Sequence, residues 1–440
     1  MSQRADRLYQ RAAGYYPICR SITGEGTRQT LRLIQNEIPI TIQEIRSGTP
    51  VLDWEIPLEW MVESATLHAP DGSLVSDVTR HSLELLNYSD QFIGVVTRKD
   101  LERHLHSLPS QPDLIPYKTS YYARSWGFCL PHRVRESLPD GNFKVEIRTS
   151  LVQGSLSYGE LHIPGESTDE VLLTTHICHP SLANDNCSGM SLLTELGGML
   201  LSEKKRHLSY RLLFLPGTIG AITWLALNTE HARRHIKHGL VIANVGDRGG
   251  FHYKRSRQEQ STIDRVIDQI NTETPGRIQV RAFSPYGYDE RQFCSPGFNL
   301  AVGSLTRTPH GQYPEYHTSA DNLDFISGES LAGSYELFSE VLEMLDQNST
   351  WRNLYPDGEP MLGRHGLYRQ TGGHTGSQEE KQRAELAILW VLNQSDGSHD
   401  LLSIARRSGL PYQLIRQAAD RLREKGLLVD SLSSPNGRFE

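Results

Sequence analysis

The stretch VLLTTHICHPSLANDNCSGMSLLTELGGMLL, residues 171–201, decides the fold of this chain. It begins with the apolar run 171–175, which is typical of a strand buried on both faces of a parallel sheet. A polar loop follows, and Met190–Leu201 then repeats leucine at helical spacing, which predicts a helix. The stretch therefore indicates one strand–loop–helix unit of an α/β domain.

The same alternation continues along the chain. Three more segments predict buried strands: RLLFLP (211–216), GLVIANV (239–245) and NLAVGSL (299–305). ITWLALN (222–228) and STIDRVIDQIN (261–271) predict the helices between them. Strands and helices of this length in alternation predict an α/β fold with a doubly wound, mostly parallel sheet. Ligands of such sheets bind beyond the carboxyl ends of the strands, so the polar residues that follow each strand are the candidates for a functional site.

The domain organisation is predicted from changes in amino-acid composition and hydrophobic pattern along the chain. Residues 1–50 and 156–368 form the α/β domain, interrupted by a β-rich insert at 51–155, where short β-branched or aromatic runs alternate with turns. A glycine-rich polar segment at 366–378 is typical of a linker. Helices followed by a strand predict a winged helix-turn-helix domain at 378–440.

This C-terminal domain is electrically neutral. It contains equal numbers of basic and acidic residues, and its predicted recognition helix, Pro411–Lys425, also carries both signs. A strand at 427–432 and a wing at 433–440 complete the predicted domain. Because DNA-reading domains are usually basic, the sequence argues against nucleic acid as a partner. A homodimer formed through this domain is the alternative that we expect.

Composition excludes several other classes. The 440 residues suffice for two or three domains, and the formal charge is −7. Five scattered cysteines do not form a disulfide framework, and no apolar stretch is long enough for a secretory leader or a membrane span. We therefore expect a cytoplasmic protein without membrane contact. The 18 histidines direct attention to metal or acid–base chemistry.

A cluster of metal-binding residue types follows the first strand. His176, His179 and Asp185 lie within ten positions, and imidazole and carboxylate groups are natural zinc ligands. Turn and cap chemistry is the alternative interpretation, and it accounts for neighbours such as Asn184 and Ser188. It does not account for two histidines three positions apart beside an aspartate. His317, in the segment YHTSADNLDFI at 316–326, follows the last predicted strand and could reach the same sheet edge.

These segments carry a resemblance. His176 after an apolar strand, the motif N-D-N-x-S-G at 184–189 and the segment at 316–326 resemble the zinc aminopeptidases that use two co-catalytic metals. The resemblance implies that His176 binds one metal and His317 the other. It also implies that Asp185 bridges both ions.

A closer resemblance extends over nearly the whole chain. CRSITGEGTRQTL (19–31), WEIPLEWMV (54–62) and THICHPSLANDNCSG (175–189) are similar to bacterial aminopeptidase-like domain proteins. That group combines a peptidase-type domain, an inserted domain and a C-terminal winged helix. Its members are often associated with polysaccharide or secondary-metabolite gene clusters, which implies a biosynthetic setting.

The chain departs from both groups after the second strand. Co-catalytic aminopeptidases carry Glu-Glu there, as general base and metal ligand, whereas this chain has Gly217 and Thr218. The closer group usually carries Pro-Glu-Thr-Ile-Gly at the same place. The position of the expected catalytic base is therefore occupied by Gly217, which cannot accept a proton. Loss of a general base typically lowers a rate by about 10²–10⁴.

The metal ligands depart as well. The aspartate expected after the third strand falls near Ala243 or Asn244, with Asp247 as a possible substitute. Each metal of the ancestral pair has therefore lost at least one ligand, and we expect one zinc ion rather than two. The predicted ligands are His176, His179, Asp185 and His317. Whether His176 or His179 is the direct ligand stays open at this point.

Other polar residues are candidates for the missing roles. Asp289, Glu290 and Glu315 could act as acid or base or contact substrate. Arg291 and Arg307 could bind a substrate carboxylate. Tyrosine hydroxyls could line a pocket or stabilise an oxyanion: Tyr288 and Tyr316. Each of these residues is equally well interpreted as an ordinary polar side chain that faces solvent from a surface loop.

The sequence thus predicts a zinc-dependent, aminopeptidase-like amide hydrolase that acts on a small aminoacyl or peptidyl compound. Its setting would be polysaccharide or secondary-metabolite biosynthesis. Two alternatives follow from Gly217 and the C-terminal domain. The protein could be a metal-binding pseudoenzyme without catalysis, or a binding or regulatory protein that works through the winged helix.

Overall fold

The computed structural model describes residues 3–367 and 378–431, which divide into two compact units. Unit 1 falls within Met1–Asp264 and Arg277–Ser339, and unit 2 within Arg265–Gly276 and Glu340–Glu440. Most of the predicted linker and the whole of the predicted wing lie outside the described residues.

The secondary structure alternates as expected through the middle of the chain. The helices are α1 Gln3–Tyr15, α2 Glu25–Gln35, α3 Arg98–Leu101, α4 His132–Glu136, α5 Gly189–Ser202, α6 Ile219–Leu227, α7 Thr229–His235, α8 Thr262–Glu273, α9 Glu290–Phe293, α10 Gly328–Gln347, α11 Gln378–Gln394, α12 Leu401–Ser408 and α13 Tyr412–Glu424. The strands are β1 Thr41–Arg46, β2 Pro50–Val51, β3 Trp54–Glu55, β4 Glu59–His68, β5 Leu74–Asp77, β6 Phe92–Thr97, β7 Leu105–His106, β8 Phe128–Cys129, β9 Asn142–Val152, β10 Ser155–Ile163, β11 Glu170–His176, β12 Ser209–Leu215, β13 Ile236–Ile242, β14 Phe251–Lys254, β15 Ile278–Arg281, β16 Val302–Thr306, β17 Thr350–Asn353, β18 Asp396–Asp400 and β19 Leu428–Asp430.

Unit 1 contains an eight-stranded sheet in the order β1-β10-β12-β11-β13-β16-β14-β15. Its four central strands, β12, β11, β13 and β16, run parallel. These are the strands predicted from the apolar runs, so the α/β fold with a mostly parallel sheet is confirmed. The carboxyl ends of β11 and β12 lie side by side, with His176 in register with Leu215.

The apolar pattern explains why these strands occupy the centre. All seven residues of β11 are buried, and Val171, Leu172 and Leu173 have no exposed surface. Burying such a side chain fully is worth about 1.5–3 kcal/mol. Helix α5 then buries the leucines at helical spacing, which fixes the strand–loop–helix unit: Leu192, Leu193, Leu196 and Leu200.

The sheet is wider than the sequence predicts. β10 pairs antiparallel with both β1 and β12, and β14 pairs antiparallel with β16. β1 and β14 are short and carry polar residues such as Gln43 and Lys254. Such strands lack the apolar run by which the central strands are recognised, so their place at the sheet's sides was not predicted.

The insert region has its own sheet within unit 1, in the order β5-β4-β9-β6. Strand β9 alternates buried Phe143, Val145 and Ile147 with the exposed Lys144 and Arg148, the period-2 pattern of a sheet with one buried face. The bounds 51–155 for a separate insert stay a prediction.

Unit 2 includes α11, α12 and α13 with a three-stranded sheet in the order β18-β17-β19. The predicted helices and the strand after them are present, whereas β17 and β18 were not predicted. Helix α12 is capped at both ends: Asp400 accepts the amide N–H of Ser403, and Gly409 follows in the left-handed conformation. Among residues 3–367 and 378–431, no helix is both long and apolar enough to cross a membrane.

Candidate metal centre and pocket

Asp185 is the centre of a buried polar cluster at the end of β11. It lies in the segment Ala183–Ser188, where its own backbone is non-helical (φ −110°, ψ 74°), and its side chain has no exposed surface. Its Oδ1 lies 2.8 Å from Nε2 of His176, the last residue of β11, and its Oδ2 lies 3.0 Å from Nε2 of His317. One carboxylate therefore joins two imidazoles that are 141 residues apart in the chain.

His179 adds a third imidazole to this cluster. Its Nε2 lies 4.0 Å from Oδ2 of Asp185, and the ligand atoms of His176, His179 and Asp185 all lie within 4.8 Å of one another. This is the donor set of a zinc site. His317 contacts Asp185 but falls outside that three-residue group.

The charge states also fit a metal ion. Burial lowers the pKa of His179 well below its usual value, against the opposing effect of Asp185, so the imidazole stays neutral with a lone pair. Burial alone would raise the pKa of Asp185, but His179 and His176 hold it well below its usual range. The cluster therefore offers a neutral imidazole at His179 and an ionised carboxylate at Asp185, which are the protonation states that metal binding requires.

A second aspartate holds the loop of Asp185. The carboxylate of Asp321 accepts the backbone N–H of Asn184 at 2.6 Å and of Asp185 at 3.0 Å. Burial raises the pKa of Asp321 to about 8, which these two hydrogen bonds oppose. Asn186 donates to the backbone oxygen of His176 at 2.9 Å, which ties the loop to the strand end.

The turn after β12 contains no ionisable residue of its own. Thr218 has φ 63° and ψ −70°, the rare and strained γ-turn conformation with positive φ, and Ile219 N–H closes the turn onto Gly217 O at 2.8 Å. Asp289 Oδ1 accepts Thr218 N–H at 2.7 Å, and Arg291 Nη2 donates to Thr218 Oγ1 at 3.2 Å. Asp289 and Arg291 therefore hold the strained turn from the side of α9.

Cys178 links the two strand ends. Its Sγ accepts the backbone N–H of Gly217 at 3.3 Å and lies 3.3 Å from Nδ1 of His179. Burial raises the pKa of Cys178 to about 12, so the group is a thiol at neutral pH. The sulfur is thus placed to contact both the metal cluster and the turn beside it.

A pocket of about 250 Å³ opens onto this cluster. That volume is at the small end for ligand sites, which are typically ~300–1,000 Å³. The lining residues come from the ends of several strands and from the loops beyond them: His176, His179, Gly217, Thr218, Tyr286, Gly287, Tyr288, Asp289, Arg291, His310, Tyr316 and His317.

A larger cavity of about 600 Å³ lies in unit 2 and differs in chemistry. Much of its wall is apolar, with Leu386, Leu389 and Trp390 of α11 among the lining residues. Among the described residues that line it, only Glu359 and Asp396 are acidic, and none is a histidine or a cysteine. The smaller pocket of unit 1 is therefore the candidate functional site.

A family model for a domain of unknown function, DUF4910, matches residues 9–348. The chain belongs to the DUF4910 family. A second model, for a winged helix-turn-helix, matches residues 349–430, which confirms the predicted C-terminal domain.

Two comparisons place this DUF4910 protein among aminopeptidase-like proteins. It is 43% identical, over 97% of both chains, to a protein of Clostridium acetobutylicum whose name links it to polysaccharide biosynthesis and an aminopeptidase-like domain. A crystal structure from the same organism, described as a peptidase, is 42% identical with a TM-score of 0.89, covering 97% of this chain and 96% of that one. The resemblance to aminopeptidase-like domain proteins is therefore confirmed.

The fold extends to more distant structures. A zinc aminopeptidase from Bacillus subtilis, BSAP, is 13% identical with a TM-score of 0.58, and the match covers 78% of this chain and 95% of that one. At this identity the likeness concerns the fold alone.

Most of the predicted site residues of the DUF4910 chain meet in the pocket. His176 and Tyr288 stack with ring centroids 5.4 Å apart, and Tyr316 and His317 stack at 3.9 Å. Burial raises the pKa of both tyrosines, so their hydroxyls stay protonated. Asp289 is only 4% exposed, and burial raises its pKa to about 6.

Three candidates do not line the pocket. Glu290 is fully buried and forms an ion pair with Lys254. Arg307 donates to the backbone oxygens of Gly249 and Ser330 at 2.7 and 2.9 Å, so its guanidinium is used within the fold. Glu315 closes a turn through its backbone oxygen and is absent from the pocket wall. Glu290, Arg307 and Glu315 are therefore absent from the described wall of this pocket.

The end of the third strand does not supply the missing ligand. Asn244 donates to the hydroxyl of Tyr288 at 2.6 Å. Asp247 accepts from Asn184 at 3.0 Å and from the hydroxyl of Thr308 at 2.7 Å. Asp247 therefore supports the loop of Asp185, and its carboxylate is not among the clustered metal-binding atoms.

Two site residues were not predicted. His310 lines the pocket, with its ring centroid 5.0 Å from that of Tyr288. Its signal was its place shortly after β16, the last central strand, as His179 lies shortly after β11. Tyr117, from the insert, lies 5.0 Å from both His179 and His317 by ring centroids and donates its backbone N–H to His317 O at 2.8 Å. No local pattern marked Tyr117.

Proposed function

We propose that this protein is a zinc-dependent amide hydrolase of the aminopeptidase type that acts on a small aminoacyl or peptidyl compound. The observation that carries the proposal is the carboxylate of Asp185 between His176 and His317, with His179 beside it, at the floor of a pocket. The pocket volume of about 250 Å³ favours a small substrate.

The metal would be held by the three clustered residues His176, His179 and Asp185. We favour one ion, since the turn after β12 and the end of β13 offer no further carboxylate to the cluster. A bound zinc ion lowers the pKa of its water toward neutrality and polarises a carbonyl. His317 would bind as a fourth ligand or orient Asp185 through the 3.0 Å contact.

Asp289 is the residue that we assign as general base in place of the missing glutamate. It lines the pocket beside Gly217, and its pKa of about 6 leaves it ionised at neutral pH. Its Oδ1 is held by Thr218 N–H, which orients the carboxylate. In hydrolysis Asp289 takes the proton of the attacking water as the carbon–oxygen bond forms. It returns the proton to the amide nitrogen as the carbon–nitrogen bond breaks.

A metal-binding pseudoenzyme is the second candidate, and Gly217 is the observation that favours it. A Cβ at this position would meet Cys178 Sγ at 3.5 Å and His176 Cβ at 3.7 Å, which are ordinary contacts. Glutamate therefore fits sterically at the start of its side chain, and Gly217→Glu is a usable test. The pseudoenzyme predicts that this variant gains amidase activity that the natural sequence lacks.

The deciding experiment measures zinc content and amide hydrolysis on the same samples. We expect about one zinc per chain and hydrolysis of short aminoacyl or N-acyl amides. In His179→Gln, both should fall at least about tenfold. The matched control is His235→Gln, a histidine of α7 outside the pocket, which should change neither. Zinc below ~0.2 per chain after metal loading would remove the basis of the proposal.

The biological setting is also a proposal. The name of the Clostridium relative supports a role in polysaccharide biosynthesis. The five free cysteines support a cytoplasmic location, where thiols stay reduced. We assign the neutral winged helix to contact between copies of the chain. DNA affinity that falls steeply with salt would instead indicate a regulator.

A further inference from the structure

Arg291 is an arginine at the pocket wall that forms no ion pair with a carboxylate of the described residues. Its Nη2 donates to the neutral Thr218 Oγ1 at 3.2 Å, and its Nε is buried without a hydrogen bond. Within residues 3–367 and 378–431, no carboxylate lies within ion-pair distance of it. By contrast, Arg211 in the same unit pairs with two glutamates. Asp289 is near enough for the charge of Arg291 to oppose the rise of its pKa, but the buried Nε of Arg291 still lacks a hydrogen-bond partner, which a ligand could supply.

The rest of the pocket wall points to the same ligand chemistry. Among the described residues that line it, Asp289 is the only acidic one, and Thr218 N–H already engages one of its oxygens. The other polar side chains are imidazoles, tyrosine hydroxyls and the Thr218 hydroxyl. The wall therefore has few groups that would bind an ammonium and several that would donate to an anion.

We propose that Arg291 binds a carboxylate of the substrate, so that the substrate is a short peptide or N-acyl amino acid with its carboxylate free. This inference rests on the proposed amide hydrolysis and narrows its substrate class. Guanidinium and carboxylate match as a fork-to-fork pair, which gives orientation as well as affinity. The hydroxyl of Thr218 is a neutral partner that such a carboxylate can replace or share.

The position of Arg291 couples this contact to the base. Arg291 and Asp289 hold the same residue, Thr218, through its hydroxyl and its N–H. A carboxylate bound at Arg291 would therefore be separated from the carboxylate of Asp289 by about the length of the Thr218 side chain. In a pocket of about 250 Å³, this places the amide next to the substrate carboxylate over the histidine cluster.

The test compares two ligands that differ only in charge, N-acetyl-L-alanine and N-acetyl-L-alaninamide. Binding is measured calorimetrically on the chelator-treated protein and on the zinc-loaded protein. We expect the acid to bind about 10- to 100-fold more tightly than the amide, as charge-assisted hydrogen bonds do. In Arg291→Gln the difference should shrink to about twofold. The matched control, Arg234→Gln on the exposed face of α7, should keep it.

The outcomes separate the two proposals. Equal binding of acid and amide, no binding of the acid, or a preference that survives in Arg291→Gln would overturn the inference. A preference seen only with zinc and unchanged in Arg291→Gln belongs to the metal and also overturns it. If Arg291→Gln does not fold, Arg291→Lys should retain a weaker preference. An Arg291-dependent preference without any turnover keeps the anion site and removes the hydrolase proposal.

Discussion

The ends of β11 and β12 lie side by side in the sheet, but only the end of β11 is associated with ionisable, metal-binding side chains. After β11, the loop supplies His176, His179 and Asp185, whose ligand atoms converge within 4.8 Å. After β12, Gly217 and Thr218 supply no ionisable group. Both loops contain a residue at positive φ, Ser181 in the first and Thr218 in the second, and two residues at α9 hold Thr218. Strained backbone of this kind is concentrated at functional sites.

The functional side chain beside a strand end can therefore come from another element of the fold. Where the resemblance leads one to expect a glutamate on the turn itself, Asp289 reaches the turn from the side. Cys178 then connects the two loops through Gly217 N–H and His179. Substitutions in the loops after β11 and β12 test this difference in chemistry, beginning with the loop that holds the metal-binding residues.

The largest effect is expected from Asp185→Asn, in the first loop. The change keeps the shape of the side chain but removes the charge that faces His176, His179 and His317. Zinc affinity should fall by on the order of 100-fold or more, and hydrolysis should be abolished. Metal analysis after dialysis measures the first, and an amide assay the second. Asp324→Asn, an exposed aspartate of the late loop, is the control that should match the natural protein.

Asp289→Asn tests the second loop. We expect hydrolysis to fall by about 10²–10⁴, because the variant loses its proton acceptor. Zinc content should stay unchanged, since Asp289 is not among the clustered ligands. Glu315→Gln, an acid outside the pocket, should stay within about twofold of the natural rate. Equal losses in both variants, or loss of zinc in Asp289→Asn, would show that the assignment of the base is wrong.

The pKa of Asp289 gives a pH dependence that distinguishes the two loops. Burial raises this pKa from 3.8 to about 6 in the folded chain. The rate without excess metal should therefore fall about tenfold per pH unit below about 6, as the base becomes protonated. Stability changes in the opposite sense: the protonated carboxyl favours the folded state below about pH 4, and this contribution is lost as pH rises through 6.

Two measurements check this behaviour. A pH profile of kcat/KM should show the acidic limb, and Asp289→Asn should lack it. The free energy of unfolding of Asp289→Asn should depend less on pH between about 4 and 6 than that of the natural chain. An acidic limb that persists in the variant would assign the titration to another group.

The sequence predicts the first loop much better than the second. The apolar run of β11, the metal-binding residue types and the helix after them are all local patterns, and the structure brings His176, His179 and Asp185 together. The second loop depends on contacts between distant residues. Asp289 touches Thr218 across 71 positions, and the insert segment near Tyr117 pairs with the loop of His317 across about 200. No spacing rule encodes such contacts.

The roles of the remaining candidate residues depend on which of them are buried and bonded within the fold. Arg291 and Arg307 occur in similar polar stretches, and both were equal candidates for substrate binding. In the structure Arg307 donates to backbone oxygens, and burial lowers its pKa, whereas Arg291 lines the pocket. Similarly, Asp289 faces the pocket while the adjacent Glu290 pairs with Lys254. Adjacent residues of similar chemistry acquire different roles only once the packing around them is known.

The smallest effect is expected where the two loops meet, in Cys178→Ala. If Nδ1–H of His179 donates to Cys178 Sγ, the sulfur fixes the tautomer in which Nε2 faces Asp185 with a free lone pair. Loss of the acceptor should weaken zinc binding about tenfold, as loss of a ligand's supporting hydrogen bond typically does. Cys178→Ser is the matched control, because its hydroxyl can still accept, and it should stay within about threefold. Equal affinities of the alanine and serine variants would mean that packing around Cys178, rather than its hydrogen bond, supports His179.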